Sequence, residues 1–218
     1  MARNNYAVLG LGSFGTKLAL ELSEAGNNVL VCDISRQRID EIRDKIAEVI
    51  IADVTHEDTI KELNVRKFDA VIVGMSNFFE RQVLALSLLK QEGARRILVK
   101  ATNDMQEKIL YRLGADEVIQ PDQDVAERLS RRLSLVNISD IFDFKGSAIA
   151  DVVVPENLAD KSLKELNLRA TYNITVLLLR KPDSTEELQP GPETVLERGD
   201  SLTVFGDRQA IIDLFKEK

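Results

Sequence analysis

The glycines of Gly10-Leu11-Gly12-Ser13-Phe14-Gly15 are the residues of this chain best suited to holding a phosphate. They follow directly on an apolar run, Tyr6–Leu9. They open a segment in which Phe14, Leu18, Leu22 and Ala25 recur at helical spacing until Gly26 stops it. In that setting each glycine has its own task. Gly10 permits a tight turn, Gly12 lets the backbone approach a phosphate with no Cβ in the way, and Gly15 lets the helix pack closely on the strand. Free amides and the positive end of the helix then hold the anion. Asp33 ends the second apolar run, Val29–Cys32, where it can accept hydrogen bonds from both ribose hydroxyls of a nucleotide. Its charge opposes a 2′-phosphate. Arg36 and Arg38 read first as solvated helix residues rather than as counter-ions for such a group.

Further candidates stand at the ends of the next runs, because ligands of open α/β sheets lie beyond the carboxyl ends of the strands. Asp53 and Thr55 follow the third run. Asp53 either reaches the exocyclic amine of an adenine or closes an Asx turn, and both readings stay open. Gly74, Met75 and Ser76 close the fourth run, where a small residue admits a base or a phosphate. Lys100 follows the fifth and would bring a cation to the same rim. Ser13, Phe14, Val54 and Asn103 complete the candidate contact set.

Catalytic motifs are missing: there is no Gly-x-Ser-x-Gly, Cys-x-x-Cys, His-Glu-x-x-His or Walker loop. His56, the single histidine, sits beside Glu57 and Asp58 and reads as an exposed residue of a helix cap. Cys32, the single cysteine, reads as a small apolar filler in a buried strand. One cysteine excludes a disulfide scaffold, and one histidine excludes a His-rich metal site. A net charge of -7, no tryptophan and 5% aromatic residues argue against a nucleic-acid binder. The longest apolar run, Ile174–Leu179, is strand-sized and far from the ~20 residues a spanning helix needs. Met1–Tyr6 is short and polar, unlike a secretory signal, so the expected compartment is the cytoplasm.

The elements that must position these residues are legible in outline. Tyr6–Leu9, Val29–Cys32, Val49–Ala52, Ala70–Val73, Ile97–Val99 and Val118–Ile119 are almost wholly apolar, as strands buried on both faces should be. Amphipathic segments alternate with them. The fold class expected is α/β: a Rossmann-like, doubly wound parallel sheet over 1–120, followed by a small α+β lobe over 146–218. Between them, 121–145 is expected to be a crossover helix and dimerisation linker. Asp122–Leu135 reads as a helix with Val125, Leu129 and Leu133 on one face. The greasy stretch Val136–Phe144 is either a helix end packed on its own domain or a crossover against a second subunit. In the lobe, Ala148–Val154, Ile174–Leu179 and Ser201–Phe205 read as strands, and Ser162–Leu166 and Asp207–Phe215 as helices. So small a lobe buries little of its surface and gains by pairing with a copy of itself.

Taken in order, YAVLGLGSFG, VLVCDIS, VIIADVT, RKFDAVIVGMS, ILVKATN and GADEVIQPD resemble the RCK, or TrkA-N, domain of potassium-transport regulators. KELNLRATYNITVLLLRK and PGPETVLERGDSLTVFG resemble the TrkA-C lobe. The ordered pair covers nearly the whole chain and is most similar to KtrA-type subunits of Ktr potassium uptake systems. The resemblance implies a regulatory, non-enzymatic subunit that controls potassium transport through a membrane-embedded partner of the KtrB or TrkH type. It implies a location at the inner face of the membrane, and homodimers assembled into an octameric ring. It implies ATP or ADP, or NAD(H), at Gly10, Gly12 and Gly15, with Asp33 at the ribose, Asp53 at the adenine and Lys100 at the rim. Asp122 matches a carboxylate that helps hold a divalent or sodium ion between the nucleotides of two subunits. Leu168 and Arg169 match a cyclic di-AMP segment, with Pro190 or Pro192 across the loop. Two positions depart from the pattern. Ser13 stands where arginine is frequent, which implies weaker ATP-over-ADP discrimination or a preference for a dinucleotide. Thr175 stands where cyclic di-AMP binders often have asparagine. The residues alone also admit a soluble NAD-dependent Rossmann oxidoreductase.

Overall fold

A computed structural model describes residues 3–75, 78–134, 137–144 and 146–216 of the chain. The chain divides into two compact units, Met1–Asp124 and Val125–Lys218.

The first unit alternates strand and helix throughout. In order these are β1 (Asn5–Leu9), α1 (Ser13–Glu24), β2 (Asn28–Asp33), α2 (Arg36–Ile42), β3 (Glu48–Ile51), α3 (Glu57–Leu63) and β4 (Ala70–Val73). There follow α4 (Phe79–Gln91), β5 (Ile97–Lys100), α5 (Asp104–Arg112), β6 (Glu117–Ile119) and the start of α6 (Pro121–Ser134). The six strands form one parallel sheet in the order β3-β2-β1-β4-β5-β6. Alternation along β1 shows why its run had to be apolar. Ala7 and Leu9 point into one core with Cys32, Leu86 and Ile97, while Val8 points into another with Val31, Ile39 and Ile72. Both faces are covered, as parallel strands joined by crossover helices require. The order reverses between β1 and β4, which opens a crevice at their carboxyl ends. Gly26, with φ +85°, sits just past α1, and its amide donates to the Ser23 carbonyl. It ends the helix where the sequence placed the stop.

The second unit holds β7 (Ile138–Phe144), β8 (Ser147–Val153), β9 (Lys161–Ser162), α7 (Leu163–Leu166), α8 (Leu168–Tyr172), β10 (Thr175–Arg180), β11 (Val195–Leu196), β12 (Ser201–Asp207) and α9 (Arg208–Phe215). Four strands form an antiparallel sheet in the order β10-β12-β8-β7. One face of it is buried: Ala148, Ala150 and Val152 of β8 and Leu202 and Val204 of β12 pack with Ile211 and Phe215 of α9. The helix-end reading of this stretch is corrected here, since from Ile138 onward it is strand β7, paired along β8. Gly146 at φ +97° lies between the two strands. Its apolar residues follow neither a 3.6 nor a 2 period cleanly, so the pattern alone did not separate helix from strand. Among the described residues no helix is long and apolar enough to cross a membrane.

Candidate functional site

The crevice of the first unit is a cleft of about 150 Å³ at the carboxyl ends of β1 to β4. It brings together seven residues expected from the sequence: Gly10, Gly12, Asp33, Asp53, Val54, Gly74 and Met75.

Three glycines there are demanded by the protein's own packing. Gly10 has φ +97°, and its amide donates to the Cys32 carbonyl at 2.8 Å. A Cβ on Gly15 would lie 2.1 Å from the Gly10 carbonyl oxygen, and one on Gly74 would lie 2.9 Å from the same atom. Gly12 differs. Its backbone is extended, at φ -70° and ψ 179°, a conformation open to any residue, and a Cβ built there meets nothing within 4 Å. Among the described residues no internal contact explains a glycine at that position. It leaves open space against the N-cap of α1, the place a phosphate would take.

Asp33 is almost fully buried at the end of β2. Its Oδ2 accepts from the Leu11 amide at 2.6 Å, and its Oδ1 from the Ser35 amide at 2.7 Å. Arg38 Nη1 stands 3.5 Å from Oδ2. Arg38 is a half-exposed helix residue, as expected, and it also lines the cleft beside Asp33. Arg36 pairs instead with Asp40, away from the cleft lining.

Asp53 adopts the Asx turn, its Oδ1 accepting from the Thr55 amide at 3.0 Å and the Thr55 hydroxyl at 2.7 Å. Its Oδ2 faces Arg81 Nη2 at 2.8 Å. Burial pushes this carboxyl up, but the Thr55 hydrogen bonds and the Arg81 guanidinium together hold it below the usual carboxylate range. His56 is exposed at the N-cap of α3 with Nε2 3.8 Å from Asp53 Oδ2. Cys32 is fully buried, and burial pushes its thiol up to about 11, so it is protonated and unreactive.

Four lining or supporting residues carry no motif and were not anticipated. Ile34 and Phe78 both line the cleft although they are 57% and 58% exposed, which offers apolar surface for a flat ring to cover. Arg81, in the first turn of α4, reaches Asp53. Its neighbour Gln82 is fully buried, and its Nε2 donates to the carbonyls of Met75 and Lys100, tying the end of β4 to the end of β5. An apolar residue directly after the β2 acid was the one available sequence signal, at Ile34.

The remaining candidates lie elsewhere. Lys100 is buried, its Nζ 3.1 Å from Asp122 Oδ2 and 5.9 Å from the centre of the Phe14 ring. Ser13 is exposed at the first position of α1. Asn103 is occupied as the N-cap of α5, accepting from the Gln106 amide at 3.0 Å. Ser76 falls outside the described residues. Asp122 is exposed and committed to Lys100. Among the described residues no three His, Cys, Asp or Glu side chains converge as metal ligands. In the second unit Leu168 is buried at the start of α8 and borders a shallow depression with Lys161, Glu165 and Tyr172. Arg169, Thr175 and Pro190 do not border it.

Comparison with known proteins turns this geometry into a family. The family model of the TrkA-N domain matches residues 6–121, and that of the TrkA-C domain matches residues 149–218. The Ktr system potassium uptake protein C of Bacillus subtilis (strain 168) is 31% identical over 205 residues, 94% of this chain and 92% of that protein. The chain belongs to the TrkA-N/TrkA-C family. The Ktr system potassium uptake protein A of the same organism is 31% identical to this TrkA-N/TrkA-C protein over 207 residues, 94% of the chain and 93% of the relative. Among solved structures the GsuK channel matches 100% of the chain with a TM-score of 0.71 at 16% identity. The GsuK channel bound to NAD matches 99% with a TM-score of 0.53 at 21% identity. These likenesses bear out the Rossmann-like fold followed by a smaller lobe. The chain spans 40% and 38% of those two channel chains.

Proposed function

We propose that the chain is a nucleotide-binding regulatory subunit of a potassium uptake system, with an adenine nucleotide in the glycine cleft and no chemistry performed on it. The carrying observation is Gly12: open space above a glycine that the protein's own packing does not require. Phosphates would lie there, the ribose at Asp33, and the base over the apolar surface of Ile34 and Phe78, with Asp53 at its amine edge. ATP and ADP are the favoured ligands, with NAD(H) the dinucleotide alternative that a solved relative's bound NAD supports. Lys100 would leave Asp122 for the phosphates, since its ammonium already lies beside Phe14 in the first turn of α1. A regulatory rather than enzymatic role is supported by the titratable groups of the cleft. Asp33 and Asp53 are engaged by amides and guanidinium groups, and Cys32 is protonated, so none stands ready as a general acid or base.

Val125, Leu129 and Leu133 of α6 are 52%, 45% and 73% exposed on one face, which supports pairing with a second copy of the chain. Dimers assembled into an octameric ring beneath a membrane transporter fit the energetics of a regulator. Driving a two-state gate from 1:99 to 99:1 takes about 5.5 kcal/mol, or about 0.7 kcal/mol from each of eight concerted sites. Size-exclusion chromatography with light scattering, run with ATP, with ADP and without nucleotide, tests this reading. A ring-sized particle whose dimensions differ between the two nucleotides is expected; a monomer indifferent to both would refute it.

A further inference from the structure

Asp53 and Arg81 stand side by side in the cleft with their hydrogen-bonding capacity only partly used. A carboxylate offers about four acceptor positions. Both on Oδ1 are taken by Thr55, through its amide and its hydroxyl. One on Oδ2 is taken by Arg81 Nη2 at 2.8 Å, and His56 Nε2 at 3.8 Å is beyond hydrogen-bond reach. One acceptor position on Oδ2 is therefore left. Arg81 has five N–H donors, and Asp53 is its one ion-pair partner among the described residues. Its side chain is one-third exposed and lines the same cleft as Asp53, Ile34 and Phe78. The backbone beneath it is pinned, because the next residue, Gln82, is fully buried and bonded to two carbonyls. The cleft thus presents one fixed acceptor next to fixed donors, beside apolar surface suited to a ring.

Resting on the nucleotide reading above, we propose that Arg81 is a specificity-determining residue that, with Asp53, selects 6-aminopurine over 6-oxopurine nucleotides. The 6-amino group donates to Asp53 Oδ2, and the neighbouring ring nitrogen N1 accepts from the Arg81 guanidinium. A 6-oxopurine inverts both partners. Its carbonyl oxygen faces the carboxylate, and its N1–H faces the guanidinium. Sliding the base by one position to restore a match is opposed by the ribose, which Asp33 fixes. A site built around polar partners rejects a ligand that leaves them unpaired far more strongly than an apolar pocket rejects an extra methylene. Because the phosphates and sugar are the same in both nucleotides, the ratio of affinities isolates the base.

Isothermal titration of the full chain with ADP and with inosine diphosphate tests this, alongside Arg81→Met, Arg81→Lys and Asp53→Asn, each checked for folding by circular dichroism. The wild type is expected to favour ADP by at least about tenfold. Arg81→Met should reduce that ratio at least about fivefold, chiefly by weakening ADP, and Arg81→Lys should retain part of it. Asp53→Asn should shift the preference toward inosine diphosphate, since an amide can donate to the 6-oxygen. Equal binding of the two nucleotides by the wild type, or an unchanged ratio in Arg81→Met, overturns the inference while the nucleotide site stands. If Arg81→Met does not fold, the wild-type ratio and Arg81→Lys decide the matter. Binding of neither diphosphate by the wild type removes the site and this inference together.

Discussion

The Leu11 amide donates to Asp33 Oδ2 at 2.6 Å, so the acid at the end of β2 holds the glycine loop in shape. The same carboxylate caps the start of the following loop through the Ser35 amide and draws in Arg38. Loop geometry, and ribose recognition in the proposed nucleotide site, therefore depend on one side chain. Asp33→Ala is expected to destabilise the first unit by about 1–3 kcal/mol, because it leaves buried amides without acceptors. Chemical denaturation of the variant measures this, and it should lose ADP binding as well.

Gly12 and Gly15 separate ligand from packing. Gly15→Ala puts a Cβ 2.1 Å from the Gly10 carbonyl oxygen and should cost about 1–3 kcal/mol or more of stability. Gly12→Ala meets no atom of the described residues, so its stability should change by less than about 0.5 kcal/mol while its nucleotide affinity falls. Melting curves with and without ADP distinguish the two.

Lys100 has two competing anions in the proposed scheme, Asp122 and the nucleotide phosphates. Asp122→Asn frees the ammonium and should tighten ADP, whereas Lys100→Met should weaken it by about tenfold, the worth of one charged hydrogen bond. Titration calorimetry at two salt concentrations checks both, with the Lys100 contribution shrinking as salt rises.

Asp53 supplies a pH test. Its folded carboxyl titrates below the ordinary value of 3.8, so its contacts with Thr55 and Arg81 stabilise the protein fully above that pH. They are lost as the pH falls through the lower folded value. Wild type should therefore melt above Asp53→Asn at neutral pH, with the gap closing only below about pH 4. A gap that closes between pH 5 and 7 would point to a different titrating group.

Cys32 should resist alkylation by iodoacetamide at pH 8 and react fully once the chain is unfolded. Its thiol is buried and held protonated up to about 11. Labelling followed by mass spectrometry reads this directly.

Much of the first unit was legible because its constraints are local. Ala7, Val8 and Leu9 must all be apolar when both faces of β1 are covered, and the glycine spacing and Asp33 lie within one strand–helix–strand stretch. Phe78, Arg81 and Gln82 were not legible. Phe78 and Arg81 line the cleft from the start of α4 and Gln82 supports it from below, and only the sheet order that sets β4 beside β1 brings them to Asp53 and Lys100. The contact of Arg38 with Asp33 was hidden for a related reason, although the residue is half-exposed as expected. One turn of α2 decides whether it also reaches Asp33, and the seven-residue helix carries too short a pattern to fix that turn. Strand β7 was hidden by apolar spacing that suits neither helix nor strand.

Calorimetric titration of ADP into the purified 218-residue chain, with Gly12→Ala in parallel, tests the central claim most directly. Saturable binding of one ADP per chain, weakened at least about tenfold in a fully folded Gly12→Ala, is the expected result. The absence of binding by the wild type, or identical binding by the variant, would contradict it.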